Sequence, residues 1–321
     1  MGNFPTLSVM MANYNYGQYI GESLEAILTQ SFSPTEVIVT DDGSTDNSVE
    51  IIRGFQKRYP NLRLLQNKKN MGVLYSINRC LSEAKGDYVY PASSDDKVLP
   101  GFFEKSMGLL IQYPQAGFSC SDILIINGKK HIEDRSCLGD KPCYFTPNCA
   151  VKLFMKGPFA PICYNTVILK RSVLDEAGGY IKELQWSGDS FATNVICFRY
   201  GFCYIPEALA MLRVHSDQYG ASNASKSNLE RKVIINIMDI VRTPPYNDVL
   251  PAFKRTAPFS SYPWEVLMVV LSDRKYREYF SFKLLRFALY NRFISRGLRN
   301  ILPDPLLELL RKIKGYAKRH S

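Results

Sequence analysis

The sequence lacks the motifs that mark several common classes of protein. Its 321 residues contain no G-x-G-x-x-G run and no Walker-type loop, which disfavours dinucleotide-binding and P-loop nucleotide-binding domains. None of the eight cysteines forms a C-x-x-C pair, so a structural zinc site is not indicated. Scattered thiols of this kind favour a reducing compartment, and we expect a cytoplasmic protein.

Long apolar stretches are also missing. No segment reaches the roughly 18 apolar residues that a membrane-spanning helix requires. The first 21 residues carry no charged side chain, but Asn3, Pro5, Asn13, Asn15 and Gln18 interrupt them. A secretory signal needs a basic start and an uninterrupted apolar core. We therefore expect this segment to be the first strand and loop of the fold.

Positive charge is concentrated at one end of the chain. The sequence holds 40 Lys+Arg and 30 Asp+Glu, a formal net charge of +10. Residues 273–321 hold 13 of the basic and 4 of the acidic residues, which is +9 and leaves +1 for residues 1–272. The net positive charge therefore lies almost entirely in the tail of the protein, residues 273–321, and the body, residues 1–272, is close to neutral.

The tail predicts a basic amphipathic helix over residues 304–318. Asp304 and Pro305 suit the N-cap and the first helical position. At about 100° per residue the apolar side chains share one face and most charged ones lie opposite: Leu306, Leu309, Leu310, Ile313, Tyr316 and Ala317 against Glu308, Arg311, Lys312, Lys314, Lys318 and Arg319. Such a helix suits an anionic membrane surface, and packing on the rest of the protein is the alternative. No nucleic-acid-binding motif accompanies the charge, so a nucleic-acid partner is not expected.

Strand and helix patterns alternate in the first half of the chain. Strands are predicted over 7–11, 36–40, 62–65 and 87–90, with amphipathic helices between them. This order predicts an α/β fold with a mainly parallel sheet and helices on both faces. Residues 116–214 are less regular, with a strand predicted over 165–169 and a helix over 189–200. Helices are predicted over 229–241, 264–271 and 276–294, and a boundary near 219–227 would separate a catalytic domain (1–220) from a helical region (221–321).

Polar clusters follow three of the predicted strands. They are Asn13-Tyr14-Asn15, Asp41-Asp42-Gly43-Ser44 and Ser94-Asp95-Asp96. Ligands of such sheets bind beyond the carboxyl ends of the strands, so the clusters should converge on one crevice. An acidic crevice can hold a phosphate through a hard divalent cation, and the pair Asp95-Asp96 could bind Mg²⁺ or Mn²⁺. A solvated turn is the alternative for an isolated Asp-Asp pair.

Taken in order, these motifs resemble those of the family 2 inverting glycosyltransferases, which have the GT-A fold. The resemblance covers residues 5 to 216. It begins with the run over residues 7–44 and continues with Asn70-x-Gly72, Ala84-Lys85-Gly86-Asp87-Tyr88, Ser94-Asp95-Asp96, Gly178-Gly179-Tyr180, Ser187-Gly188-Asp189 and Arg213-Val214-His215. It implies a nucleotide-sugar transferase with a mixed, mainly parallel sheet, followed here by a C-terminal helical region.

The resemblance also implies roles for individual residues. Tyr14 would stack on a uracil or thymine base, and Asp42 would accept a hydrogen bond from its ring N–H. Asp95 would contact the ribose, and Asp96 would bind the divalent metal that holds the diphosphate. Packing remains the alternative for Tyr14, and a turn-forming role remains the alternative for Asp42.

Asp189 matches the position of the family's general base. Inversion requires one in-line displacement, in which the acceptor hydroxyl loses its proton as it attacks the sugar. A carboxylate opposite the leaving diphosphate can accept that proton, which typically contributes about 10²–10⁴-fold. Capping of its own helix is the alternative, and both roles are compatible.

Further positions either match the family pattern or depart from it. Ala12 and Asn70 match positions that line the nucleotide site in the family, although Ala12 replaces the usual proline. His215 falls at a position that can contact metal or diphosphate, with a purely structural role as the alternative. Gly188 replaces the acidic residue common before the base, and Ile77 replaces a frequent arginine.

These features predict an inverting glycosyltransferase that uses a UDP- or dTDP-sugar and a divalent metal. The acceptor would be a hydroxyl of a lipid-linked glycan in surface polysaccharide synthesis, and the basic tail would hold the enzyme on the inner face of the membrane. A polyprenyl-phosphate sugar synthase and a non-catalytic nucleotide-binding module are the alternatives. Retention of Asp42, Asp95, Asp96 and Asp189 argues against the non-catalytic module.

Overall fold

The computed structural model describes residues 4–127, 130–134, 138–156, 162–215, 227–258 and 263–294. Ten strands form one sheet: β1 Leu7–Asn13, β2 Glu36–Asp41, β3 Leu62–Gln66, β4 Tyr88–Ser93, β5 Lys97–Val98, β6 Phe118–Asn127, β7 Lys130–Asp134, β8 Cys143–Phe145, β9 Ile168–Lys170 and β10 Phe202–Val214. Their spatial order is β3-β2-β1-β4-β9-β6-β10-β5, with β7 beside β6 and β8 beside β10.

Helices cover both faces of this sheet. The α-helices are α1 Gly17–Leu28, α2 Ser48–Arg58, α3 Val73–Glu83, α4 Phe102–Gln112, α5 Pro147–Lys156, α6 Arg171–Glu176, α7 Gly188–Tyr200, α8 Ser227–Ile240, α9 Leu250–Thr256, α10 Pro263–Ser272 and α11 Phe282–Ile294. Short 3₁₀ segments lie at Tyr164–Thr166, Lys182–Ser187 and Arg274–Tyr279. The predicted α/β architecture, with its helical C-terminal region, is confirmed.

The first four long strands form the parallel half of the sheet. β1 lies between β2 and β4, and β3 pairs with the outer edge of β2, all in parallel. Side chains of successive residues in a strand point to opposite faces. Accordingly, Val9 and Met11 pack into one core layer and Met10 packs into the other. Because both faces are covered, the central residues of β1 and β2 are apolar, which is why the sequence predicted these strands.

The second half of the sheet is mixed. β9 runs antiparallel to both β4 and β6, and the long β10 runs parallel to β6 with register shifts between Ile205 and Ala210. The predicted strand over 165–169 is a 3₁₀ turn followed by the short β9. The predicted helix over 276–294 is interrupted, since a 3₁₀ segment ends at Tyr279 and α11 begins only at Phe282.

The C-terminal helices pack on the catalytic sheet. Side chains such as Val233, Phe253, Val266 and Leu284 belong to the same buried cluster as Phe118 of β6. The boundary predicted near 219–227 falls almost entirely outside the described residues, as does the predicted tail helix over 304–318. In the parts of the chain that the structure describes, no helix combines the length and apolar character needed to span a bilayer. The described cysteines are free thiols.

Candidate active site

The polar clusters that follow the strands meet at one edge of the sheet. Because the strands β1 to β4 run parallel, their carboxyl ends all lie at this edge. β10 reaches the same edge, because two successive antiparallel pairings through β9 orient β6 like β4, and β10 is parallel to β6. The end of β10 therefore brings Arg213 and His215 to the side chains that follow β1, β2 and β4.

A hydrogen-bonded network joins the loops after β1 and β2. The buried Asn13 donates to Asp41 Oδ2 (2.9 Å) and to Ser44 Oγ (3.2 Å). Ser44 Oγ donates to Asp41 Oδ2 (2.6 Å) and accepts the Asn15 amide (2.9 Å). Asn15 adopts the left-handed region (φ 55°) and accepts the Thr45 amide through Oδ1 (2.8 Å). These contacts hold the backbone on both sides of Tyr14 in one conformation.

Asp42 holds the loop that precedes α3. Its carboxylate is buried (2% exposed). Oδ1 accepts from Asn67 Nδ2 (2.6 Å) and from the Met71 amide (2.9 Å), and Oδ2 accepts the Gly72 amide (2.8 Å). Asn70 supports the same loop through a bond from the Gly72 amide to its Oδ1 (3.0 Å). The structure thus brings Asp42 and the Asn70 loop together across the ends of β2 and β3.

Tyr14 projects where a ligand could stack on it. Its side chain is 42% exposed, which is high for an aromatic ring held between two ordered loop positions. Ala12 lies one residue before the end of β1, between Thr40 of β2 and Ser93 of β4. Ile77, which stands where the family often has arginine, is buried in the core.

Asp95, Asp96 and His215 form a second cluster beside the first. Asp95 Oδ2 lies 3.0 Å from His215 Nε2, and both side chains are largely buried. Asp96 Oδ1 accepts the backbone amide of Arg213 (3.0 Å). His215 Nδ1 is buried and has no hydrogen-bond partner among the described residues. Three of the predicted site residues are therefore in direct or adjacent contact.

Helix α1 supports this cluster from the other side. Ser23 Oγ donates to the carbonyl oxygens of Ser94 (3.0 Å) and Asp96 (2.5 Å). The Arg213 guanidinium lies over the Tyr19 ring, with its Cζ 5.2 Å from the ring centroid, and pairs with Glu22. The acidic loop is thereby fastened to α1 and to β10 at once.

The chemistry of this cluster fits a divalent cation. Burial, together with the charge of Asp95, raises the pKa of Asp96 to about 7. Two adjacent carboxylates with too little compensating positive charge provide the hard oxygen ligands that Mg²⁺ and Mn²⁺ prefer. Within the described residues no three acidic, histidine or cysteine side chains form a complete metal cage. Oxygens of a bound diphosphate would have to complete the coordination.

Asp189 is the second residue of helix α7, which begins at Gly188, and it is exposed to solvent. Its Oδ1 accepts the Ser190 amide (2.6 Å), so it also serves the first turn of its helix. Nearby protein atoms desolvate part of the carboxylate, and this desolvation raises its pKa to about 6. No hydrogen bond in the described part of the chain joins it to the other predicted site residues.

Helix α3 places Asp189 relative to the nucleotide loop. Asn78 of α3 donates to the Tyr180 carbonyl (2.6 Å) and accepts its amide (3.2 Å). A Cβ added at Gly188 would lie 3.4 Å from the Leu74 side chain of α3. The start of α7 therefore abuts the start of α3, directly after the loop that Asp42 holds.

Several contributors were not predicted. Asn67, Ser23, Glu22 and Tyr19 all support site residues, and only Asn67 carried a signal, because it follows a strand end like the other clusters. Arg213 belonged to a recognised motif but had no assigned role. Contacts such as Glu22 with Arg213 join positions 191 residues apart, which no local pattern reveals.

Solved structures share this architecture. The crystal structure of S. aureus TarS 1-349 in complex with UDP-GlcNAc superposes with a TM-score of 0.62 at 16% identity, covering 98% of this chain and 89% of that one. The mannosyltransferase PcManGT from Pyrobaculum calidifontis in complex with GDP-Man and Mn²⁺ gives 0.57 at 18% identity, covering 99% and 86%. The chain therefore has the GT-A fold of these structures.

Sequence comparison gives the family. The model of Glycosyl transferase family 2 matches residues 8–177, more than half of the chain. The putative glycosyltransferase EpsE of Bacillus subtilis is 30% identical over 182 residues, which are 56% of this chain and 62% of that protein. The putative teichuronic acid biosynthesis glycosyltransferase TuaG of the same organism is 31% identical over 108 residues, or 34% and 43%. The chain belongs to glycosyltransferase family 2 and is a glycosyltransferase, as predicted.

Proposed function

We propose that this enzyme transfers a sugar, with inversion, from a UDP- or dTDP-sugar to a hydroxyl of a lipid-linked glycan during surface polysaccharide synthesis. The observation that carries this proposal is the convergence of separate carboxylates on one edge of the sheet. Asp42 lies beside the exposed Tyr14, and Asp95 and Asp96 lie beside His215. Asp189 lies at the start of α7, which packs against the start of α3.

The donor assignment follows from the first two clusters. An exposed aromatic ring beside a buried carboxylate suits a pyrimidine with a ring N–H, and TarS in complex with UDP-GlcNAc supports a UDP-sugar. Tyr14 would stack on the base and Asp42 would accept its N–H, with Ala12 and Asn70 lining the same site. Asp95 would contact the ribose.

Asp96, together with His215 and the donor diphosphate, would hold Mg²⁺ or Mn²⁺. The Mn²⁺ in the PcManGT complex supports a divalent ion. When bound, the cation neutralises charge that develops on the departing diphosphate. The His215 ring would keep its bond to Asp95 Oδ2 and so fix the orientation of that carboxylate.

Asp189 would act as the general base. Its accessibility lets an acceptor hydroxyl approach, and a pKa raised to about 6 leaves it mostly ionised at neutral pH while strengthening it as a proton acceptor. The hydroxyl proton moves to Asp189 as the oxygen attacks the anomeric carbon, and the bond to the diphosphate oxygen breaks on the opposite face.

The acceptor, pathway and location rest on the relatives and the sequence. The printed name of TuaG, teichuronic acid biosynthesis, supports a cell-surface polysaccharide. The basic tail supports attachment of residues 221–321 to the inner face of the membrane, with residues 1–220 as the cytoplasmic catalytic domain.

A panel of nucleotide sugars, scored for nucleotide release with and without Mn²⁺, tests the donor and the metal. A UDP- or dTDP-sugar should be turned over only with the metal. In the same assay Asp189→Asn should abolish transfer and leave UDP binding unchanged. A variant with near-normal turnover would contradict the base assignment and would favour an acceptor that is already ionised, such as a polyprenyl phosphate.

A further inference from the structure

Asn67 occupies a position between the nucleotide loop and helix α3. It directly follows β3, where its backbone amide donates to the Asp41 carbonyl (2.8 Å). Its Nδ2 donates to Asp42 Oδ1 (2.6 Å) and to Ser76 Oγ (3.0 Å). Its Oδ1 accepts from Arg79 Nη1 (2.6 Å), which also donates to the Gln66 carbonyl (2.9 Å). Every hydrogen-bonding position of the Asn67 amide nitrogen is thereby used.

The chemistry of these partners permits only one orientation of the Asn67 amide. A guanidinium can only donate, and an ionised carboxylate can only accept. The amide oxygen must therefore face Arg79, and the amide nitrogen must face Asp42. Arg79 thus influences the orientation of Asp42 indirectly, through its hydrogen bond to Asn67.

This arrangement leaves Asp42 with one free acceptor position. A carboxylate offers about two acceptor positions on each oxygen. Oδ1 is filled by Asn67 and the Met71 amide, whereas Oδ2 has only the Gly72 amide among the described residues. Because the carboxylate is buried and held by three donors, it cannot rotate to present a different pair of acceptor positions.

We propose that Asn67 and Arg79 are positioning residues that make the enzyme select uracil over cytosine. This inference rests on the proposed role of Asp42. Uracil presents an N3–H donor to the single free position on Oδ2. Cytosine presents a lone pair at N3 and its amino group one position along the ring edge, which a carboxylate free to rotate could accept. An immobilised Asp42 cannot follow that displacement, so cytosine meets an acceptor opposite its own acceptor.

The test compares the binding of UDP and CDP, each with Mn²⁺, by isothermal titration calorimetry. Asn67→Ala and Arg79→Met, which removes the side-chain donor, should each lower the ratio of UDP to CDP affinity by about tenfold, the effect of one charge-assisted hydrogen bond. Arg79→Lys keeps a donor for Asn67 and should retain most of the preference. Asn61→Ala is the matched control, because Asn61 lies at the opposite end of β3 and donates only to the Pro34 carbonyl (3.0 Å).

A purely structural role would weaken both nucleotides equally and leave the ratio unchanged, and that result overturns the proposal. A ratio that falls equally in Asn61→Ala also overturns it. The bond from Arg79 to the Gln66 carbonyl is exposed, so Arg79→Met provides a second test if Asn67→Ala does not fold. Asp42→Asn distinguishes a failure of the positioning role from a failure of the proposed site for the nucleotide base. If the wild type has no preference for UDP, or if Asp42→Asn keeps that preference, the proposed binding site for the nucleotide base is wrong. The positioning role of Asn67 and Arg79 is then wrong as well.

Discussion

At the scale of single residues, the site separates its carboxylates by environment. Asp42 is buried and saturated with donors on one oxygen, Asp96 is buried beside a second carboxylate, and Asp189 stays open to solvent. Environment sets the protonation and the freedom of a carboxyl group, so chemically identical side chains can serve different steps. A carboxylate held in one orientation suits recognition of a ligand, and two adjacent carboxylates suit the binding of a cation. An accessible carboxylate of raised pKa suits proton transfer.

The rate of transfer should follow the ionisation of Asp189. Its pKa of about 6 lies above the ordinary value of 3.8, and only the ionised form can accept a proton. The turnover number should therefore rise from pH 5 to pH 7 and level off above, with about one tenth of the limiting rate at pH 5. Turnover measured at saturating donor and metal across this range provides the check. A rate that stays constant down to pH 5 would exclude Asp189 as the base.

Loss of Asp96 should weaken metal binding. Asp96→Asn removes one anionic oxygen from the pair, and Mn²⁺ affinity in the presence of UDP should fall by at least about tenfold. Titration of Mn²⁺ into the UDP-bound protein, followed by its effect on water proton relaxation, measures this directly. Asp87→Asn is the control, because Asp87 precedes β4 and bonds to Thr6 at the opposite edge of the sheet. Equal losses in both variants would contradict a metal role.

At the scale of helices and strands, burial decided which elements the sequence could predict. β1 to β4 are apolar on both faces, and α7 matches its predicted range within one residue. β6 and β10 escaped prediction because β10 contains Pro206 and two register shifts, which break the alternation expected of a strand. The break before Phe282 also left no periodic signal.

The same distinction applied to the site. Strand-end clusters identified Asp42, Asp95 and Asp96, because the carboxyl ends of parallel strands must meet. The bond between His215 and Asp95 spans 120 positions, and Asn67 was one polar residue among many in its loop. Such partners are determined by the meeting of distant elements, so residue order alone did not reveal them.

Two glycines should respond to alanine in opposite directions. Gly201 ends α7 with a positive φ of 69°, and a Cβ there would overlap the Phe145 carbonyl. Gly201→Ala should destabilise the protein by about 1–3 kcal/mol. Gly54 lies inside α2 with nothing near its missing Cβ, so Gly54→Ala should stabilise it by about 0.5–1 kcal/mol. Midpoints of urea unfolding measure both effects, and a stable Gly201→Ala variant would contradict the observed junction of α7 and β10.

At the scale of the whole molecule, the C-terminal helices are packed against the sheet rather than set apart from it. α8 to α11 share a buried core with the sheet, and Lys283 of α11 donates to the carbonyls of Phe154 and Thr256. Burial lowers the pKa of Lys283 to about 8. Most of the cations that follow lie beyond the described residues.

Charge reversal in the tail should release the enzyme from membranes without loss of catalysis. Replacing Lys312, Lys314, Lys318 and Arg319 with Glu removes four cations, and each contributes about 1 kcal/mol at an anionic surface. The loss of about 4 kcal/mol should lower vesicle affinity by roughly a thousandfold. Co-sedimentation with vesicles containing phosphatidylglycerol measures this, with phosphatidylcholine vesicles as the neutral control. Transfer to a water-soluble acceptor should be unchanged, because none of these residues is among the proposed site residues. If the variant still sediments with anionic vesicles, the tail is not the membrane anchor, and packing of its apolar face on the catalytic body becomes the better explanation.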